Sequence, residues 1–282
     1  MKRFILFPVL VVMVIANTFA EDAKALSARS GEFYVTPGVS FFNKAWDDGR
    51  DKVDIPKTEV FYVGFGLAYG ITDWFSAAFD WRGWNIWSHG DGPAEVWEGF
   101  YDFSLETQFH LIGNKAPIIS SYFRLTVAPG VIFPFPLIDT DDKMGKNAWG
   151  FGGSLSFDTD ISRYFFLNVF GKFYFYPIEN EEKVNHGWDL TLEVEPNFNI
   201  DIPYGMNLAI GLPINFTLAP EQKVDGVENG MDSYTLSLRP TITLRMTHTQ
   251  TPVEVSMDYA IPLIGQNTLV NHAISLKTAI FF

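Results

Sequence analysis

Between Trp188 and Ile200 apolar and polar residues take turns over thirteen consecutive positions. Trp188, Leu190, Leu192, Val194, Pro196, Phe198 and Ile200 share one parity, and Asp189, Thr191, Glu193, Glu195, Asn197 and Asn199 share the other. A period of two sorts residues onto the opposite faces of a β-strand. After the gap Asp201–Gly205 the pattern returns, with Met206, Leu208, Ile210, Leu212, Ile214, Phe216 and Leu218 on one side. Strands of soluble proteins usually run about 5–6 residues, whereas a tilted strand needs about 9–11 to cross a bilayer. A soluble β-sandwich would alternate over shorter stretches, with turns every 8–12 residues or about that. Length therefore selects an all-β, antiparallel, up-and-down transmembrane barrel.

The same pattern places about twelve strands, within a range of roughly 10–14, at 33–42, 59–69, 73–83, 97–110, 119–133, 148–158, 164–176, 188–200, 206–218, 234–246, 253–263 and 272–282. On the fourth strand Trp97, Tyr101, Phe103, Leu105 and Phe109 are assigned to lipid, and on the fifth Ile119, Phe123, Leu125, Val127, Val131 and Phe133. Short connections at 70–72, 111–118, 159–163, 201–205 and 247–252 alternate with long ones at 43–58, 84–96, 134–147, 177–187 and 219–233. Barrels of this kind keep short turns on the periplasmic side and long loops outside, so both chain ends fall in the periplasm. Pro37, Pro129, Pro196, Pro213, Pro240 and Pro262 lie inside these strands. Each removes a ladder donor, which assigns them to bulges or rims.

The N-terminus carries Lys2 and Arg3, then the apolar run Phe4–Ala16, then Thr18-Phe19-Ala20 with small residues at the two positions a signal peptidase reads. The run is shorter than the roughly 20 residues of a membrane-spanning helix. Residues 1–20 are read as a cleaved export signal, 21–32 as a short periplasmic segment and 33–282 as one barrel domain. A net charge of −13 excludes nucleic acid as a partner. With no cysteine there is no thiol nucleophile, no cysteine-ligated metal and no disulfide framework. Aromatic residues make up 16% of the chain, which suits strands and interfacial girdles. Trp74, Trp81, Trp84, Trp87, Trp97, Trp149 and Trp188 fall near strand ends, where indole favours the headgroup level. The cluster Trp81, Trp84, Trp87 also has the make-up of a sugar-stacking platform.

The stretch Leu67-Ala68-Tyr69-Gly70-Ile71-Thr72-Asp73-Trp74-Phe75 resembles the strand–turn–strand signature of small bacterial outer-membrane barrels of the porin and transporter type. The final strand, with Phe282 at its end and Ile280, Leu276 and Ile274 on its apolar face, looks like the C-terminal signal read by barrel-assembly machinery; Thr278 departs from it. The resemblance implies residence in the cell outer membrane, with outer-membrane lipid and that machinery as partners. It names no particular family. The segment Glu21–Glu32 is too short for the plug of a long-chain fatty-acid transporter.

If the apolar faces meet lipid, the opposite parity lines the lumen. It carries Asp80, Arg82, Glu98, Asp102, Glu106, Arg124, Lys172, Glu193, Glu195, Arg239, Arg245, Glu254, Asp258 and Lys277, with Asn271 and Ser275 beside the last. Acids and bases on neighbouring strands imply cross-strand ion pairs, among them Lys172 with Glu193 and Glu195, and Arg239 and Arg245 with Glu254 and Asp258. Tyr164, Phe166, Phe170, Tyr174 and Tyr176 take the same inner parity and narrow the bore. Eight strands leave room for side chains alone and 16–18 or so leave a channel, so twelve predict a narrow passage. The slight acidic excess predicts weak cation preference.

No nucleophile and base adjoin. His89 and His186 fall in exterior loops, His110 and His248 near periplasmic turns and His272 at a strand start, and no G-x-S-x-G occurs. These histidines are expected to be solvated, and the chain is expected to be no enzyme and to need no cofactor. The acidic loops Asp47–Asp51, Asp139–Asp142 and Glu179–Glu182 match no calcium-binding loop and are read as solvated surface, without metal. The leading reading is passage of small hydrophilic solutes. Its competitor is a closed barrel acting at the surface through its loops; a lipid-modifying enzyme and a carrier of hydrophobic substrates rank lower.

Overall fold

The computed structural model describes residues 26–89, 95–134, 145–228, 232–247 and 251–282; the side chains of Arg82, Trp84, Trp87, His89 and residues 95–98 lie outside that description. The expected leader over residues 1–20, the acidic loop Asp139–Asp142 and His248 also fall outside the described residues. Twelve antiparallel strands form a closed barrel. They are β1 (Gly31–Trp46), β2 (Lys52–Thr72), β3 (Phe75–His89), β4 (Glu95–Phe100 and Phe103–Gly113), β5 (Phe123–Phe133) and β6 (Gly150–Asp160). The circle continues through β7 (Phe165–Tyr176), β8 (Gly187–Ile202), β9 (Met206–Gly211 and Ile214–Ala219), β10 (Ser233–Leu238 and Thr241–Met246), β11 (Val253–Gln266) and β12 (His272–Phe281). Each strand pairs with its sequence neighbour, and β1 closes the circle against β12, with Val39 opposite both Phe61 and Ile274. At the seam Gly31 N donates to Phe282 O at 2.7 Å and Phe282 N to Gly31 O at 3.0 Å.

The alternation read from sequence is the alternation of exposure. Phe33, Leu67, Leu105, Leu155, Phe173, Leu192, Phe198, Ile210, Ile242, Met257 and Ile274 stand outward and exposed, while their neighbours turn inward and are covered. A continuous apolar belt around a closed sheet would aggregate in water and is matched to hydrocarbon. Among the described residues no helix is long and apolar enough to cross a membrane. Turn chemistry fixes the short-turn end. Thr72 Oγ1 accepts from Trp74 N at 3.3 Å, Ser120 Oγ from Phe123 N at 2.9 Å and Ser162 Oγ from Phe165 N at 3.1 Å. Tyr204 and Gly205 both take φ of 69° in the turn after β8.

The prolines resolve as ladder gaps. β9 breaks at Leu212-Pro213, β10 at Arg239-Pro240, and β11 shifts register near Pro262. Opposite Pro37 the β1–β12 pairing skips two positions, and opposite Pro129 the β4–β5 pairing does the same. A missing donor sits where no ladder bond is made.

The strands outrun their expected lengths at the loop end. β1 and β2 continue until only 47–51 remain between them, so the expected long loop 43–58 is mostly hairpin. That extension buries Phe42, Ala45, Val60, Tyr101 and Leu269 in one apolar cluster. Tyr101, assigned to lipid, is therefore corrected: β4 breaks at Tyr101-Asp102, and the ring turns inward. The facing β3 bulges at the same height, because Phe65 pairs Trp81 while Val63 pairs Trp84. Inward parity accordingly passes from Asp80 to Asn85. Gly83 makes the bulge, with φ of 75° and a position where a Cβ would stand 1.6 Å from Val63 O. Gly83→Ala is expected to cost roughly 2–3 kcal/mol in strain, read as a lower urea midpoint of the folded protein in detergent.

Candidate functional site

The inward faces hold a set of salt bridges strung around the bore. Arg239 on β10 meets Asp258 on β11 at 3.1 Å, and Arg245 meets Glu254. Lys277 on β12 reaches Glu32 on β1 at 3.3 Å, with its ammonium 4.5 Å from the Tyr34 ring. Arg124 on β5 forks onto Asp160 of β6 at 2.7 and 2.9 Å and touches Asp158 at 3.3 Å. These are cross-strand pairs between adjacent inward positions, as expected of the parity.

One bridge differs in kind. Lys172 on β7 reaches past β6 and β5 to Glu106 on β4, with Nζ 3.0 Å from Oε1. Tyr174 Oη donates to the same carboxylate at 2.7 Å and Ser154 Oγ at 3.2 Å. The intervening strands offer Gly130, Ala128 and Ser154 at this height, small enough to let the side chains pass. At Gly130 a Cβ would lie 2.5 Å from Tyr174 Oη and 2.6 Å from Glu106 Cγ, so only glycine admits the network.

Two cavities lie along the axis. The larger, about 570 Å³, opens at the short-turn end and is lined by Glu32, Tyr34, Asp80, Phe166, Phe170, Lys172, Glu193, Glu195, Arg239, Arg245, Glu254, Asp258 and Lys277, among others. The smaller, about 120 Å³, lies toward the loop end and is lined by Asp80, Tyr101, Asp102, Lys146, Lys172, Tyr174, Tyr176 and Asp189, among others. Asp80 and Lys172 border both, which marks the narrow level between them. Tyr34 Oη donates to Asp80 there at 2.9 Å. Ahead of β1, Leu26, Ser27 and Ser30 edge the larger cavity. This segment is tied to the rim by Arg29 N to Gly70 O at 2.7 Å and by Lys115 Nζ to Ser27 Oγ at 3.0 Å.

At the loop end, three short segments from two connections interlock. Val184–Asn185 pairs with Lys223–Val224, which pairs with Val227–Glu228. Beneath them Lys146 is salt-bridged to Asp189, its ammonium 3.8 Å from the Tyr176 ring, and Tyr176 Oη donates to Asp189 at 3.0 Å.

Of the residues assigned to the lumen from sequence, Asp80, Asp102, Glu106, Arg124, Lys172, Glu193, Glu195, Arg239, Arg245, Glu254, Asp258 and Lys277 all turn inward. The side chains of Arg82 and Glu98 lie outside the described residues. Phe166, Phe170, Tyr174 and Tyr176 are buried inside as expected. Tyr164 is corrected: it belongs to the turn before β7, is exposed and stacks on Phe198. Ile119 likewise precedes β5 and stands exposed in the short strand segment Ile118–Ile119, which pairs parallel with Ile112–Gly113 of β4. Two histidines are not solvated. His110 is buried in the wall, with Nδ1 2.9 Å from Thr126 Oγ1 and Nε2 3.2 Å from Ser76 Oγ. His186 is buried under the interlocked loops. Trp81 belongs to the outer aromatic belt, stacked on Phe100 at 5.7 Å and edge-on to Phe65 at 4.6 Å. Among the described residues no group of His, Cys, Asp and Glu has the geometry of a metal site. Glu32, Asp158 and Asp160 join the network but escaped the sequence reading, and Asp189, placed there on the polar parity alone, joins them. The parity of Ser154, Ser156 and Asp158 already pointed inward.

No family model and no curated protein matches the sequence. Solved structures do. The chain is similar to the COG4313 outer membrane channel from Pseudomonas putida F1, with a TM-score of 0.72 and 16% identity over 94% of this chain and 100% of that one. It is also similar to the transport unit of the autotransporter AIDA-I from Escherichia coli, with a TM-score of 0.54 and 10% identity over 99% of this chain and 97% of that one. At such identities the likeness carries the fold, that of bacterial outer-membrane β-barrels.

Proposed function

We propose that this chain is a narrow outer-membrane conduit for small hydrophilic solutes. The carrying observation is the pair of cavities, both edged by charged side chains, that share Asp80 and Lys172. Water-filled space lined by ion pairs suits solutes that keep part of their hydration, and the Glu106–Lys172–Tyr174 level sets the size limit. Around the larger cavity the carboxylates of Glu32, Asp80, Glu193, Glu195, Glu254 and Asp258 outnumber the cations Lys172, Arg239, Arg245 and Lys277. This supports a weak preference for cations. The expected record in planar bilayers is small, stable conductance steps with a reversal potential on the cation side under a salt gradient. A silent refolded barrel supports a closed surface protein instead, and an anion-side reversal potential overturns the selectivity.

Export through the leader in residues 1–20 and insertion by barrel-assembly machinery reading Ile274, Leu276, Ile280 and Phe282 belong to the same proposal. The first three stand outward and exposed on β12, and Phe282 lies at the seam, where the machinery could grip the closing strand.

A further inference from the structure

The loop end carries a buried imidazole that the conduit reading does not use. His186 is 5% exposed and lies where the loops before β6 and β8 meet the hairpin before β10. Its Nε2 is 3.0 Å from the Lys146 carbonyl. A carbonyl only accepts, so Nε2 carries the hydrogen and Nδ1 presents a bare lone pair. That Nδ1 is buried and meets no hydrogen-bond partner among the described residues.

The same Lys146 carbonyl also accepts from Asn180 Nδ2 at 3.0 Å. Asn180 Oδ1 in turn accepts from Val184 N at 2.9 Å, at the start of the interlocked patch. The Tyr176 ring stands edge-on to the imidazole at 6.1 Å. His186 is thus the post between the Lys146 loop, the 177–186 loop and the hairpin, and Lys146 itself lines the outer cavity.

We propose that the described segments 145–147, 177–186 and 221–228 form an acid-released latch over the outer mouth, with neutral His186 as its catch. A proton arriving from solvent binds Nδ1 and creates an imidazolium whose new N–H meets no acceptor among the described residues. Among the described residues the charged groups around it are the Lys146 ammonium, which repels it, and the Asp189 carboxylate, which is held by Lys146 and Tyr176. On the hairpin side Lys183 pairs with Asp225 at 3.4 Å and Lys223 with Glu228 at 3.3 Å, so neither carboxylate is held in reserve for the histidine. Burial first, and then the Lys146 charge, push the His186 imidazole down to about 4 from its ordinary 6.5.

The sign follows. The open latch binds the proton near pH 6.5 and the closed latch only near 4, so closure is fully stable above 6.5 and is lost as pH falls through that window. The ratio of closed to open loops should drop by roughly 10²-fold between neutral pH and about pH 4.5. Any effect on solute flow rests on the conduit reading, but the latch has its own readout. The chain lacks cysteine, so spin labels can be placed singly at the exposed Glu182→Cys and Val227→Cys, on the two sides of the interlocked patch. The label distance should be short and sharp near neutral pH and long and broad near pH 4.5. In His186→Gln, which keeps a donor toward the carbonyl but cannot titrate, the distance should stay short in acid. An unchanged distance in the wild-type background overturns the proposal, as does acid opening that persists in His186→Gln. Should that variant fail to fold, the wild-type midpoint decides: opening centred well below about pH 4 belongs to carboxylates and refutes the latch. Loop opening without conductance would leave the latch standing and remove the conduit.

Discussion

Lys172→Met is expected to raise the cation-to-anion permeability ratio about tenfold, and Glu106→Gln to lower it by a similar factor. Lys172 borders both cavities where they meet, and its salt bridge holds the Glu106 carboxylate beside that level. Two unit charges about 4 Å apart interact by roughly 4 kcal/mol at an effective dielectric of about 20, and water in the lumen reduces that toward 1–2 kcal/mol. A tenfold ratio corresponds to about 1.4 kcal/mol. The sign comes from what each substitution leaves. Lys172→Met takes one fixed cation from the bore, while Glu106 keeps its contacts to the Tyr174 and Ser154 hydroxyls. With glutamine at 106 the amide oxygen still accepts from Tyr174, and Lys172 becomes a fixed cation. Reversal potentials under a salt gradient separate the two variants. Equal ratios in both would mean that ions cross elsewhere. Folding can be checked by heat-modifiable gel mobility before any recording.

Much of this level was legible in the chain. Period-two alternation placed Glu106 and Lys172 on inward parity, because a strand that crosses lipid exposes its apolar face and hides the other. What it could not give was the partner. Cross-strand logic looks from Lys172 to Glu193 or Glu195 on the adjacent β8 and does not reach the bridge to Glu106, which skips two strands through room left by Gly130, Ala128 and Ser154. Such reach depends on the curvature of a closed wall, which no local pattern encodes. Tyr101 failed for a related reason. One bulge at Gly83 and one break in β4 reverse parity, and neither leaves a clear mark in hydropathy. His110 and His186 were read as solvated from their nearness to turns. The strand wall buries His110 between Ser76 and Thr126, and the interlocked loops bury His186 through pairings between segments distant in sequence.

The bridge that parity did assign correctly, Arg239 with Asp258, predicts the largest effect on stability. Their side chains are 6% and 3% exposed, on adjacent strands of the barrel wall. The Asp258 carboxylate also accepts from Ser275 Oγ on β12, so one side chain ties β10, β11 and β12 together. Asp258→Ala removes the carboxylate 3.1 Å from the buried Arg239 guanidinium and should cost about 3–5 kcal/mol. Asp258→Asn keeps an acceptor for Ser275 and removes only the charge, so it should cost less. The double variant Arg239→Met with Asp258→Leu removes both charges at once. Burying an ion pair carries a desolvation penalty comparable to its attraction, so this variant should lie within roughly 1–2 kcal/mol of the natural protein. Urea midpoints followed by tryptophan emission give all three numbers. If the single alanine variant unfolds at the wild-type midpoint, the lumen wets this pair and the bridge is a selectivity element alone. If the double variant falls as far as the single, the loss comes from packing and the Ser275 contact. An intermediate order, with alanine lowest and the double near wild type, marks Arg239–Asp258 as charges kept for the solute's path at little net gain to the fold.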